Sequence, residues 1–325
     1  MKAALCTTFD GIDAIEIGDI DTPQPGPGEV RVDVAACALN FFDTLIVRNR
    51  YQYKPELPFS PSAEMAGVVS AVGEGVEGFA VGDRVCAYLC YGCARGQVIA
   101  PVDTLVKVPD AVSDAHAAGL IVTYGTAMHG LKDRGQVAHG ETVAVLGASG
   151  GAGLAAIEVA KRLGARVIAA ASSADKLEIC RAAGADVLVN YAEEDLRDAL
   201  KAASDGRGVD VVYDCVGGPY AEPAVRATAW GGRFLVIGFA AGEVPKIPLN
   251  LPLLKGCSLV GVFWGGFVDR DAAAHRANVA EVLGWVAEGK LAPHLHAVRP
   301  LEEIGDALHA IARREVKGKI ILTID

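Results

Sequence analysis

Four glycines in seven residues, Gly147, Gly150, Gly151 and Gly153 in GASGGAG, lie between an apolar run (142–146) and a segment of helical periodicity reaching Leu163. Small residues at such a turn let backbone N–H groups and a helix N-terminus come close to a pyrophosphate. Read against G-x-G-x-x-G, the spacing fits Ala148, Gly150 and Gly153, with Ala in the first place. The strand-to-helix setting is the one this motif needs, so the chemistry it predicts is dinucleotide binding. The next apolar run ends AAASSADK without an Asp or Glu at its tip, where an NAD site usually carries an acid for the ribose 2′-hydroxyl. Ser172, Ser173 and Lys176 instead offer two hydroxyls and a cation to a 2′-phosphate, which points to NADPH. The competing reading of Lys176 is an ordinary solvated helix residue.

Metal chemistry finds less support. Cys86, Cys90 and Cys93 in CAYLCYGC suggest a structural zinc or a redox pair, but they lack a fourth partner nearby, and reduced cysteines beside a loop are the simpler reading. His294 and His296 in HLH would share one face of a strand, without a neighbouring carboxylate to complete a site.

The elements that must hold these residues follow from length and rhythm. A chain of 325 residues with 51% hydrophobic and 22% charged residues is long enough for two domains and outside the disordered class. Its net charge of −10 argues against a nucleic-acid partner. The apolar stretch 115–131 is interrupted by His116, Gly119, Gly125 and His129, so no membrane span is expected. Lys2 is followed by only a short apolar run before Asp10 and Asp13, which is no secretory signal, and the eight scattered cysteines are not a disulfide framework. The expected compartment is the cytoplasm. Residues 29–39 alternate as a strand and 65–88 give two or three more, a β-rich, barrel-like module, with TPQPGPG (22–28) as a turn. From Glu141 onward, five to six short buried runs alternate with helix-length segments, which predicts a doubly wound parallel sheet. An amphipathic helix over 272–289 then leads to GKIILTID, a tail expected to pair back into the first module.

Several motifs in order carry a more specific signal: CALNFFD (37–43), AEMAGVVSAVGEGVEGFAVGDRV (63–85), VTYGTA (122–127), GASGGAG (147–153), AAASSADK (169–176), VDVVYDCVGG (209–218), GGRFLVIGFAAGE (231–243) and GVFWG (261–265). Over essentially its whole length the chain resembles the zinc-free quinone oxidoreductase, zeta-crystallin-like branch of the medium-chain dehydrogenase/reductases. The resemblance implies an α/β protein with a GroES-like catalytic domain (1–122 and 266–325) and a Rossmann NADPH-binding domain (123–265). It implies that Asn40 and Thr123 lie beside the nicotinamide, that the backbone near Gly238, Phe239 and Phe263 holds the carboxamide, and that Tyr191 contacts the adenosine end. Gly150, Gly151, Ala152 and Gly153 would hold the pyrophosphate. For Phe239 and Phe263 a core position, and for Thr123 a turn hydroxyl, stay open.

In zinc-dependent relatives a Cys ligand follows the first long strand and a His-Glu pair precedes A-G-V-V; those places resemble Asn40 and Ala63-Glu64 here, and three zinc ligands cannot be assembled. Tyr51 resembles the proton donor of enoyl-thioester reductases on this scaffold, and also a residue that only lines the pocket of quinone reductases. Arg48 and Arg50 beside it suit a substrate phosphate or plain solvent exposure. Ala152 and Glu158 depart from the family's usual Val and Gln. The expected activity is NADPH-dependent hydride transfer to a quinone or related conjugated carbonyl, without zinc or flavin. The alternatives are an enoyl-thioester reductase and a non-catalytic, NADPH-binding crystallin-like protein. The apolar run CSLVGVF (257–263) is an edge-strand candidate through which the family forms homodimers.

Overall fold

The computed structural model describes residues 1–324; Asp325, the last residue of the expected 266–325 span, lies outside the described residues. The chain divides into two compact units, Met1–Val122 with Phe267–Asp325, and Thr123–Gly266.

In the first unit β1 (Lys2–Cys6) pairs antiparallel with β2 (Ile15–Asp19). The larger sheet is organised by β3 (Glu29–Leu39), where Val30, Val32 and Val34 point into the core while Arg31 and Asp33 point outward. This is the period-2 burial that the alternating sequence predicts. Around it lie β4 (Glu64–Val72), β5 (Arg84–Tyr88), β6 (Gln97–Pro101) and β7 (Leu105–Lys107), with the short helix α1 (Asp43–Ile46) following β3. Helix α2 (Asp114–Ala127) then widens into π-type turns over Met128–Arg134.

The second unit is a six-stranded parallel sheet of β8 (Thr142–Leu146), β9 (Arg166–Ala171), β10 (Val187–Asn190), β11 (Val209–Asp214), β12 (Thr228–Val236) and β13 (Ser258–Gly261), in the order β10-β9-β8-β11-β12-β13. The crossovers include α3 (Gly151–Arg162), α4 (Ala174–Ala182), α5 (Leu196–Ala202), α6 (Ala221–Ala227) and α7 (Asn250–Lys255). β8 is buried at every position, as a central strand covered on both faces must be, which is why TVAVL reads as a continuous apolar run. β13 takes the edge position expected of CSLVGVF, with Leu259 37% exposed, because only β12 flanks it.

The chain returns to the first unit through α8 (Trp264–Val268), α9 (Ala272–Ala287), β14 (Leu295–Pro300), α10 (Ile304–Ala312) and β15 (Lys319–Thr323). β15 pairs antiparallel with β3, Ile320 opposite Leu39 and Thr323 opposite Ala36, so the tail completes the first sheet as its sequence suggests. All eight cysteines are free thiols. His294 and His296 are both exposed, and among the described residues no group of three His, Cys, Asp or Glu side chains is gathered as for a metal. Among those residues, no helix is long and apolar enough to cross a membrane.

Candidate active site

Apart from Thr123, which lies within α2, the candidates of the second unit follow the carboxyl ends of its strands. The strand order reverses between β8 and β11, and a crevice outside the strand ends at such a switch point is where parallel sheets bind ligands. The turn after β8 enters it through Gly147, whose φ of +69° side chains rarely adopt. Gly153 packs so closely on this turn that a Cβ would lie 2.4 Å from Gly147 O and 2.6 Å from Ala148 Cα. Gly150 caps α3 with φ −75°, and a Cβ there would make only an ordinary contact, at 3.5 Å from Gly147 O. The first helical bond of α3 runs from Leu154 N–H to Gly150 O at 2.9 Å. The N–H groups of Gly151, Ala152 and Gly153 precede it and are the donors that a helix start leaves to a ligand. A dinucleotide's pyrophosphate fits this cradle.

Backbone bonds tie the neighbouring strand ends to the turn: Ala148 N–H donates to Ala170 O and Tyr191 N–H to Ala171 O, both at 3.1 Å. At the tip of β9, Lys176 Nζ donates to Ser172 Oγ at 3.3 Å across one helical turn. Ser173 is the N-cap of α4, yet its hydroxyl makes no capping bond. The Tyr191 ring packs on Tyr220 with centroids 4.6 Å apart. After β12, Gly238 N–H donates to Asp214 O at 3.2 Å. Phe239 is 39% exposed and Phe263 53%, which removes the core reading of both rings. Thr123 is 4% exposed and lies within α2, so it is a buried helical residue and not a turn hydroxyl.

In the first unit the strand and helix ends around Asn40 form a buried polar knot. Lys319 Nζ, at the start of β15, donates to Leu39 O at 2.9 Å, Asn40 Oδ1 at 2.8 Å and Glu64 Oε1 at 2.7 Å. These three bonds use all three ammonium hydrogens. Asn40 Nδ2 donates to Glu64 Oε1 at 2.9 Å, and Val122 N–H to Glu64 Oε2 at 2.8 Å. Both ends of the Asn40 amide are thereby fixed, with one N–H of the amide left over. Asp43 fixes the backbone here, accepting from Asn40 N–H at 2.7 Å and Ser62 N–H at 3.0 Å. Burial pushes its carboxyl up to about 7, against the pull of these two bonds and of Lys319. Tyr51 stacks on Phe42 with centroids 4.9 Å apart and tilts against Tyr53. Burial, with smaller contributions from Asp43 and Cys90, pushes its phenol up to about 12.

Sequence reasoning missed Lys319, Asp43 and Ser62. The one signal for Lys319 was a lone cation opening an otherwise apolar strand, KIILT, with four consecutive buried residues.

Two family models match the chain: an alcohol dehydrogenase GroES-like domain over residues 26–110 and a zinc-binding dehydrogenase over residues 151–287. A rat (Rattus norvegicus) protein named quinone oxidoreductase-like protein 2 is 39% identical over 325 residues, spanning 99% of this chain and 92% of that one. The crystal structure of a probable oxidoreductase from Mycobacterium abscessus matches with a TM-score of 0.90 at 38% identity, covering 99% of this chain and 98% of its own. Escherichia coli quinone oxidoreductase, solved complexed with NADPH, matches with a TM-score of 0.92 at 26% identity, covering 99% and 100%. With its GroES-like unit and Rossmann sheet, the chain is a medium-chain dehydrogenase/reductase and an oxidoreductase. Within that superfamily it belongs to the quinone oxidoreductase branch.

Proposed function

We propose that the protein is an NADPH-dependent oxidoreductase acting on a quinone or related conjugated carbonyl without zinc or flavin. The carrying observation is the locked Asn40. Where zinc-dependent relatives gather ligands, this chain has an amide and a carboxylate already engaged by a buried ammonium. A zinc ion needs about three protein ligands free to face it, and this donor set does not fit one.

NADPH, when bound, supplies a hydride from its nicotinamide ring. The chain's residues do the rest by positioning and electrostatics. Gly150, Gly151, Ala152 and Gly153 would hold the pyrophosphate; Ser172, Ser173 and Lys176 would take the 2′-phosphate; Tyr191 would meet the adenosine end; and the backbone of Gly238, Phe239 and Phe263 would hold the carboxamide. By the resemblance Asn40 and Thr123 would serve the nicotinamide end, Asn40 through the one amide N–H that its bonds leave over. In this reading residues 1–122 and 266–325 form the catalytic domain and 123–265 the cofactor domain. The preference for NADPH over NADH rests on the Ser172–Lys176 pair and on the lack of an acid at the tip of β9.

The test is oxidation of NADPH, with NADH in parallel, against a simple quinone and a short enoyl-CoA. Fast quinone turnover with NADPH preferred is expected; NADPH binding without turnover of either acceptor would leave a binding protein. Tyr51 separates the two enzyme readings. Its ring is packed on Phe42 and Tyr53 and burial pushes its phenol up to about 12, which supports a lining role, so Tyr51→Phe should keep quinone turnover. If the variant instead loses enoyl-CoA reduction by about 10²–10⁴-fold, the range for removing a general acid, the enoyl-thioester reading takes over.

The edge strand β13, with Leu259 on it, lies in a unit that also exposes Trp230 (81%), Leu253 (76%) and Leu254 (70%). An apolar edge left open invites pairing, which supports a homodimer. A monomeric mass by light scattering would refute it. The free cysteines suit a reducing compartment, which supports the cytoplasm, to be checked by fractionating cells for the untagged protein.

A further inference from the structure

The GroES-like unit holds a cavity of about 560 Å³ that the proposed reaction does not use, a size within the range of small-molecule sites. Its polar lining is Lys54, Glu56, Ser60, Arg95 and the phenol of Tyr91. Ser60 is 1% exposed, and its hydroxyl has no hydrogen-bond partner. Buried hydroxyls are nearly always paired, so an orphan on a residue that lines the cavity is a donor a ligand can engage once a χ1 rotation turns it into the space.

Arg95 stands beside it in the fold. Its Nε–H donates to Gly92 O at 2.6 Å, which fixes the plane of the guanidinium. The four N–H groups on its two terminal nitrogens meet no protein acceptor among the described residues, and no carboxylate pairs with it. Among the described residues Lys54 Nζ donates to Asn49 O alone, at 2.5 Å. Two cations against the single carboxylate of Glu56 leave one positive charge in excess, in a chain whose net charge is −10. The frame is rigid: Gly92 N–H donates to Ser60 O at 2.7 Å and Ala94 N–H to Pro61 O at 3.0 Å, joining the two segments that carry Ser60 and Arg95. Leu5, Ile20 and Phe59 make the apolar side, the Phe59 ring meeting Tyr91 edge-on at 5.9 Å.

We propose that this cavity is a binding site for a monoanionic organic carboxylate, its carboxylate on Arg95 and the Ser60 hydroxyl and its apolar chain along Leu5, Ile20 and Phe59. A planar guanidinium with free paired N–H groups matches a carboxylate's two oxygens. The orphan hydroxyl supplies a further donor. Glu56 opposes a second negative charge, which favours a carboxylate over a phosphate dianion.

The test is calorimetric titration of the full chain with hexanoate, in parallel with hexan-1-ol and inorganic phosphate, with and without saturating NADPH. Hexanoate should bind one to one, at least about tenfold tighter than hexan-1-ol, as expected when a charge-assisted bond is lost. NADPH should leave that affinity unchanged. Arg95→Gln should weaken hexanoate by about tenfold or more, and Ser60→Ala by about threefold. Because Ser60→Ala deletes an unpaired buried group, its melting temperature should hold or rise, so it remains informative if the arginine variant misfolds. Equal binding of hexan-1-ol, displacement of hexanoate by NADPH, phosphate binding as tight as hexanoate, or unchanged affinity in Ser60→Ala would each overturn the proposal.

Discussion

Lys319→Met lowers the free energy of unfolding by about 3–5 kcal/mol, the cost of removing one partner from a buried ion pair. The reason lies in what stays behind. Glu64 is fully buried, and without the ammonium its carboxylate keeps only the Asn40 amide and the Val122 N–H. Burial of a charge with that little compensation is among the few single changes that exceed the ordinary mutational range. The double variant Lys319→Met with Glu64→Gln recovers most of the loss, because neither charge then needs a partner. Urea unfolding of the wild type, both single variants and the double variant measures the coupling. A loss below about 1 kcal/mol in the single variant would mean that the pair behaves as a surface salt bridge. The same change reaches activity through position: Asn40 Oδ1 loses its donor, the amide is held only through Nδ2 on Glu64, and kcat falls more than KM changes.

That residue also marks where reading the sequence stopped. The parallel sheet was legible because TVAVL and its successors are apolar throughout, as strands covered on both faces must be, and because the glycines mark the turn at the carboxyl end of β8. The pairing of the tail was legible from KIILT alone. The polar knot was not. It joins Asn40, Glu64 and Lys319, which are 279 and 255 positions apart across the Lys319 contacts, and no local pattern encodes a bond of that range. Asp43 stood inside a recognised motif, but its two backbone bonds depend on how the segments around Asn40 and Ser62 fold together. The cavity by Arg95 was invisible for the same reason: Leu5, Ile20, Ser60 and Arg95 come from four separate stretches of chain.

Gly153→Ala and Gly150→Ala separate what the glycine turn does for the protein from what it does for a ligand. At Gly153 the new Cβ would meet backbone at 2.4 Å and 2.6 Å, atoms that cannot swing aside as a side-chain end can. Forcing it in costs about 1–3 kcal/mol of stability, and displacing the turn weakens NADPH by about ten- to a hundredfold, since each 1.4 kcal/mol is a factor of ten. At Gly150 the backbone has φ −75°, which alanine adopts freely, and the nearest contact would be 3.5 Å. Stability there should fall by no more than about 1 kcal/mol, the usual effect of alanine at an N-cap. If the protein itself does not need glycine at 150, its absent side chain is room for a phosphate at the helix start, and Gly150→Ala should raise the NADPH Kd with the melting temperature almost unchanged. Fluorescence titration of NADPH beside thermal unfolding reads both quantities in each variant. Unchanged NADPH affinity in Gly150→Ala would remove the pyrophosphate from this turn, whatever Gly153→Ala does, because only Gly150 tests the cradle without disturbing the packing that shapes it.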